Sequence, residues 1–310
     1  MAEHEVYFAS ERQLKIYKAR KIITQVLLYA FLTLVGLFIL FPFWYMIITS
    51  FKSTKAFEAE ELSGKLVFYL NSTNFSFEQF RKVFQGNFNF GTFYLNTVLV
   101  AVASTAFTVV TSVLAAFAFA RVNFKGKDIL FTVLLGTMMV PGEMMMMTNY
   151  QTTVQLGWQN TFAALILVHG VSVFYIFYLR QTFQQIPNEL FLAAKVDGYG
   201  HFQYLWKCMI PIAMPTIVTI LILSLMGAWN AYIWPTLIAS GKNSVLASMG
   251  VDHSMLLVSN GLMAQFTGEF NNDIPARITG SLFATVPLFV FFLIFRKYIM
   301  RGVSRSGIKG

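Results

Sequence analysis

The sequence predicts an all-α, polytopic membrane protein with six transmembrane helices. Composition is the first reason: 56% of the 310 residues are hydrophobic and only 12% are charged, whereas soluble domains average about 25% charged. Patterning is the second: the apolar residues fall into long runs, and a helix needs about 20 of them to cross a bilayer. The third is the placement of lysine and arginine, which gather in alternate segments between the runs.

Taken in order, residues 26–48 form a charge-free first span, and residues 93–120 a second, long enough to tilt. Residues 129–140 are too short alone. They continue through Pro141, Gly142 and Glu143 into four methionines, Met144–Met147. This is a span whose outer end breaks at Pro-Gly, with Glu143 at an interface or a watery cavity. Residues 162–179 and 278–295 are shorter runs without charge apart from their flanks, and residues 212–238 carry no charge at all. The first run is too long for a signal peptide, its charged lead is mixed in sign, and no small-residue cleavage site follows.

Six spans place both termini on one side. Arg12, Lys15, Lys18, Arg20 and Lys21 precede the first span. Arg121, Lys125, Lys127, Arg180, Lys195 and Lys207 sit in the alternate loops, and Arg296, Lys297, Arg301, Arg305 and Lys309 follow the last span. These are most of the 23 basic residues, so the positive-inside rule puts both termini in the cytoplasm. It also accounts for the formal net charge of +9 without a nucleic-acid partner. The single cysteine, Cys208, forms no intrachain disulfide and offers no metal cluster. Two outer loops are sizeable. Residues 50–90 carry mixed charge, with a short amphipathic helix expected over 77–84. Residues 241–276 are polar, glycine-broken and expected as a solvated cap or a contact for an external partner.

One interior loop stands out: NELFLAAKVDGYGHFQYLWKCMIPIAMP, residues 188–215. Pro187 precedes a helix start with Asn188 as N-cap and Glu189 in the first turn. At about 100° per residue, Leu190, Ala193, Ala194 and Asp197 share one arc, and the two alanines let another surface approach closely. Gly198 and Gly200 end the helix and turn the chain. Residues 201–209 form a second short helix, which Pro211 ends. The result is a helical hairpin along the cytoplasmic face, braced by a span at each end. Val196-Asp197-Gly198-Tyr199-Gly200 is not a potassium-channel filter: it lies on the inner side, and aspartate replaces the filter's valine.

The hairpin resembles the signature of ABC-importer permease subunits: Glu-Ala-Ala, three residues, Gly, nine residues, Ile, one residue, Leu-Pro. Leu192-Ala193-Ala194, Gly198, Cys208 and Ile210-Pro211 keep that spacing. Leu192 stands for the glutamate, Cys208 for the isoleucine and Ile210 for the leucine. The first change removes a charge that, in the family, pairs with a basic residue on the ATPase. LNTVLVAVASTAFTVVTSVLAAFAFAR (residues 95–121), LGWQNTFAALIL (156–167), WNAYIWP (229–235) and RKYIMRGVSRSGIKG (296–310) are similar to segments of the carbohydrate-uptake, maltose-transporter branch.

The resemblance implies the ABC type I importer transmembrane fold and a multi-pass subunit of a bacterial or archaeal inner membrane. Its partners are a second permease in a heterodimer, two ATPase subunits carrying ATP and Mg, and an extracytoplasmic solute-binding protein. The implied organisation is a cytoplasmic segment 1–21, a first span and outer loop 22–90, a core 91–299 with coupling helix 188–210, and a tail 300–310. The coupling residues are Glu189, Leu190, Ala193, Ala194, Asp197, Gly198 and Gly200. Tail contacts to the ATPases fall on residues 302–310, at Gly302, Gly307 and Gly310. Candidates for the solute path are His169, Trp229, Asn230 and Tyr232, with Met138–Met147 as an adaptable apolar gate.

The implied solute is a sugar or oligosaccharide, with glycerol phosphate or another polyol as the alternative. No Gly-x-x-x-x-Gly-Lys-[Ser/Thr] loop, His-Glu-x-x-His or Gly-x-Ser-x-Gly pattern occurs, so the chain is expected to bind no cofactor and to catalyse nothing itself. An autonomous secondary transporter or channel is disfavoured, because ion coupling needs intramembrane charges that spans 1, 2 and 5 lack.

Overall fold

Charge-free apolar runs cannot leave backbone amides unpaired in lipid, so they form helices. The computed structural model describes residues 11–85, 90–239, 241–250, 253–266 and 273–304, and it is helical throughout, with only isolated bridges outside the helices. The chain divides into two compact units, Met1–Arg81 and Lys82–Gly310.

In the first unit, α1 (Glu11–Ser50) continues well beyond the apolar run 26–48 and carries Pro42 within it. The span Lys15–Ser50 has none of its most apolar window buried within the chain, so its apolar surface is left for lipid or another subunit. The loop beyond it is built around one cation. Lys52 is fully buried; its Nζ donates to Glu60 Oε2 at 2.7 Å and to the Val67 carbonyl at 2.5 Å, which satisfies the charge where water cannot reach it. Glu60 lies on α2 (Thr54–Ser63), capped by Ser53 Oγ at its start and by left-handed Gly64 at its end. The predicted helix over 77–84 appears as α3 (Glu78–Gln85), and Gln79 Nε2 donates to the Lys52 carbonyl.

The second unit is the packed bundle. Its centre is α4 (Phe90–Arg121), which spans the predicted run 93–120. The third apolar run is bent as its Pro-Gly predicts: α5 (Lys127–Thr137) and α6 (Gly142–Gln155) meet at 96°. The fourth run, 162–179, is not one helix. It forms α7 (Phe162–Leu167) and α8 (Val173–Gln184), and Ser172 Oγ accepts the Tyr175 amide to start α8. Gly170 makes the break a close approach. A Cβ there would lie 2.1 Å from the Phe107 ring on α4, while Thr111 Oγ1 donates to the Gly170 carbonyl at 3.1 Å. Gly170→Ala therefore forces that ring aside and is expected to cost about 1–3 kcal/mol, read as a lower thermal unfolding temperature of the purified chain.

After α8 come α9 (Asn188–Val196), α10 (His201–Tyr204), a π-helical turn (Leu205–Met209) and α11 (Ile210–Trp229). Two boundaries differ from the sequence expectation. Pro211 does not end a separate helix, and residues 201–229 form one continuous candidate span. The Ile210 amide reaches back five residues to the Leu205 carbonyl, and this wider turn carries the helix past a residue that lacks an N–H and clashes with a normal α turn. The run 212–238 conversely breaks after Trp229. Pro235 would clash with the Ala231 carbonyl in a continuous helix, so α12 (Ile233–Ile238) starts afresh and Asn230 Nδ2 donates to the Met226 carbonyl.

The loop 241–276 is not a solvated cap. It contains α13 (Ser244–Ser248) and α14 (Val258–Phe266), and it buries Met255, Leu257, Val258 and Leu262. Its Asp252 and Glu269 lie outside the described residues, and Asp273 accepts a hydrogen bond from Lys82. Asn96 on α4 holds the loop: its Nδ2 donates to the Ser254 and Leu256 carbonyls and its Oδ1 meets His253 Nε2 at 2.9 Å. The last helix, α15 (Ile274–Ser304), runs past the apolar run 278–295 at both ends. Four described helices are long and apolar enough to span a membrane, or five with the bent pair taken as one.

Candidate functional site

The hairpin is built from its turn outward. Gly198 adopts φ +81°, the left-handed region that glycine enters without a Cβ penalty. The Tyr199 amide donates to the Ala194 carbonyl at 2.8 Å and the Gly198 amide to the Lys195 carbonyl at 3.0 Å. That pair of bonds is a Schellman motif, which satisfies carbonyls a helix end would otherwise orphan. The next helix starts at once: Gln203 Oε1 accepts the Gly200 amide. Glycine at 198 is thus required by the backbone, while a side chain at 200 would meet open space.

Packing then joins the hairpin to the bundle. Ala194, Tyr204, Leu205 and Met209 share one buried cluster with Ala116 and Phe117 of α4, Leu179 and Phe183 of α8, and Ala213 and Ile217 of α11. Phe191 closes the gap between the two hairpin helices, its ring 5.0 Å from that of Tyr204. At the entry, Arg121 at the end of α4 donates to the Phe183 carbonyl at 3.0 Å, to the Ile186 carbonyl, and to Asn188 Oδ1 at 3.3 Å. The guanidinium adds a cationic donor at the C-terminal end of α8 and satisfies the Ile186 carbonyl just beyond it.

This geometry reassigns two hairpin residues. Asn188 is the first helical residue rather than the cap, because Arg121 recruits its side chain. Ala194 is buried in the chain's own core, so it is not free to meet a second surface. The exposed arc consequently centres on Glu189, Leu192, Ala193 and Val196, with Leu190 and Asp197 at its edge. Val196 is 88% exposed, an apolar tip beside the turn. Sequence reading missed Leu192 and Val196. The spacing 192, 193, 196 is a helical stripe, but its direction depends on which residue packs inward.

A second feature lies roughly 20 Å further along α4, at 1.5 Å per residue. There α4, α7, α8 and α11 enclose a cavity of about 260 Å³, lined by Ser104, Thr108, His169, Ser172, Tyr175 and Trp234 among others. The break between α7 and α8 opens it: His169 sits in the break, edge-on to Trp234 with ring centroids 4.9 Å apart. Trp234 is held by its Nε1 bond to the Ala164 carbonyl. Of the other predicted path residues, Trp229 is buried between Tyr94 and Phe291 and donates to the Ala284 carbonyl. Asn230 and Tyr232 are exposed, and none of these three lines the cavity. Ser104, Thr108, Ser172 and Tyr175 went unrecognised, since only the helix break turns them to a common space. In the predicted apolar gate, Met139, Met144 and Met147 are exposed on the bent α5–α6 pair. Gly302 lies within α15, and Gly307 and Gly310 fall outside the described residues.

Several helices able to span a membrane, a cavity at a broken helix among them, and an exposed hairpin packed into the same core define the membrane subunit of a transporter. The family model for the binding-protein-dependent transport system inner membrane component matches residues 109–305, and the chain belongs to that family. Its relatives include the arabinooligosaccharides transport system permease protein AraQ of Bacillus subtilis, 27% identical over 90% of this chain and 94% of that one. The trehalose/maltose transport system permease protein MalG of Thermococcus litoralis is 28% identical over 94% and 99%. The lactose transport system permease protein LacG of Rhizobium radiobacter is 28% identical over 90% and 95%. The fold is shared with a crystal structure of a bacterial ABC transporter involved in the import of the acidic polysaccharide alginate. The TM-score is 0.74 at 21% identity, covering 94% of this chain and 99% of that one. The chain is thus a multi-pass membrane protein of an ABC transport system.

Proposed function

We propose that this chain is the permease subunit of an ATP-driven importer that passes a sugar or oligosaccharide across the cell membrane. The observation that carries the reading is the hairpin's shared core with α4, α8 and α11, three of the helices that wall the cavity. A push on the hairpin is then a push on the cavity. Relatives named for arabinooligosaccharides, lactose and trehalose or maltose support a sugar as the solute. The cavity agrees: it has no lysine, arginine or carboxylate among its lining residues, which suits a neutral solute better than glycerol phosphate. Tyr175, the serines and Trp234 supply the mixture of hydrogen bonds and aromatic face that sugars use.

In this reading the chain crosses the membrane six times, through α1, α4, the bent α5–α6 pair, α7–α8, the helix from α10 through α11, and α15. Both termini and the hairpin are cytoplasmic. A second permease completes the pathway, a solute-binding protein delivers the sugar, and two ATPases bind ATP and Mg. Closure of the ATPases moves the hairpins and turns the cavity from one side of the membrane to the other. Glu189, Leu190, Leu192, Ala193, Val196 and Asp197 meet the ATPase, Gly198 and Gly200 hold the turn, and Ala194 transmits the force inward. The end of α15 and the residues beyond it, with Gly302, Gly307 and Gly310, make the second ATPase contact.

Val196→Asp is expected to leave the unfolding temperature unchanged, since so exposed a side chain contributes little to stability. It should weaken ATPase capture about tenfold by placing a charge in a desolvated contact. Pull-down of the ATPase against the wild-type chain reads this directly. The whole reading is tested in liposomes: the chain with its partner permease, ATPases and binding protein should take up solute only with ATP. Uptake by the lone chain would overturn it.

A further inference from the structure

A separate polar cleft lies at the hairpin end of the bundle, between the α4–α5 loop and the last turns of α8. It measures about 450 Å³ and is lined by Asn123, Phe124, Lys127, Asp128, Arg180 and Gln184 among others. Arg180 is fixed at its side. The side chain is only 12% exposed, its guanidinium lies 3.9 Å from the centre of the Phe131 ring, and its Nε donates to the Phe119 carbonyl at 3.2 Å. Its two Nη groups make no hydrogen bond among the described residues. Asp128 Oδ1 is 3.9 Å from Nη2, beyond hydrogen-bond reach, and the Asp128 side chain is 89% exposed. Lys127 Nζ likewise has no hydrogen-bond partner among the described residues. A mostly buried guanidinium with idle donors facing an open cleft is poised for an oxyanion, which a planar fork grips at two oxygens.

The surroundings say which oxyanion. Arg121 and Lys127 mark the ends of α4 and α5, so the cleft sits where apolar helix gives way to charge, at the level of lipid headgroups. Ile129 lines the cleft and is also exposed, and Leu130 and Val133 continue an exposed apolar surface along α5. A polar pocket continuous with a lipid-facing helix matches a phosphate joined to an acyl chain. We propose that this cleft binds the phosphate of an anionic phospholipid, Arg180 and Lys127 holding the headgroup and α5 the chain. It would brace the ends of α4, α5 and α8, of which α4 and α8 pack against the hairpin.

The test uses the full chain purified with the subunits it assembles with. Phosphatidylglycerol, phosphatidylcholine and inorganic phosphate are titrated in turn, and bound lipid is counted by native mass spectrometry. Phosphatidylglycerol is expected to bind about tenfold more tightly than phosphatidylcholine. Lys127→Gln and Arg180→Lys should each erase most of that preference, the second because lysine keeps the charge but loses the fork. Lys127 is partly exposed and anchors no helix, so its variant decides the matter even if Arg180 variants fail to fold. Equal binding of the two lipids, or a preference untouched by Lys127→Gln, overturns the proposal. Inorganic phosphate bound without phosphatidylglycerol also overturns it, in favour of a soluble anion. None of these readouts involves transport, so failure here leaves the sugar-import reading standing.

Discussion

Gly198→Pro should abolish coupled transport while the chain still inserts and packs. The native residue has φ +81°, and proline is held near −65°, so the turn cannot form. The change also removes the amide that bonds the Lys195 carbonyl and pushes Asp197, now before a proline, away from its φ −73°, ψ 2° cap conformation towards extended backbone. The local cost is about 3 kcal/mol or more, and uptake should fall by at least tenfold. Gly198→Ala is the graded control. Nothing lies within 4 Å of a Cβ at this position, so alanine meets only the left-handed backbone penalty of about 1–2 kcal/mol and should retain partial uptake. Both variants are compared in liposomes for solute uptake and ATPase stimulation. Wild-type values for the proline variant would remove Gly198 from the coupling site.

Arg121→Ala should lower both stability and transport, for a different reason. The guanidinium bonds the Phe183 and Ile186 carbonyls and the Asn188 side chain, so one residue joins the end of α4, the end of α8 and the start of α9. Ile186 is itself buried, so alanine leaves its carbonyl without this donor, while the Phe183 carbonyl keeps the Ile186 amide at 3.4 Å. One buried orphaned carbonyl costs about 1–3 kcal/mol, which is the expected destabilisation. Arg121→Lys keeps the charge but cannot reach three acceptors, and should fall between. Thermal unfolding in detergent separates the three proteins. An alanine variant as stable as wild type would show that packing alone holds the hairpin.

The hairpin was legible in the sequence because its signals are local. Two glycines, a proline before the helix and a fixed spacing to Ile210-Pro211 identify a turn wherever it sits. The direction of its exposed face was not legible. Ala193 and Ala194 are chemically identical, and only packing into the buried cluster that includes Phe117, Leu179 and Tyr204 decides that Ala194 turns inward. The cavity shows the same division. His169 was visible as a polar residue in an apolar run, whereas Ser104, Thr108, Ser172 and Tyr175 are ordinary apolar-helix companions until Gly170 packs on Phe107 where the fourth run breaks. Trp229 misled by its neighbours in sequence, since the break at Asn230–Tyr232 sends it to one side and Trp234 to the other.

Hydrophobic run length, charge asymmetry and turn chemistry act over a few residues, and from these the sequence alone determined a membrane protein, the break at Pro141-Gly142 and the helical hairpin. The tertiary structure alone decided which helix faces pack inward, where the fourth and fifth runs break, and which polar side chains converge on one space. Those outcomes depend on contacts between residues far apart in the chain, and no local pattern encodes them.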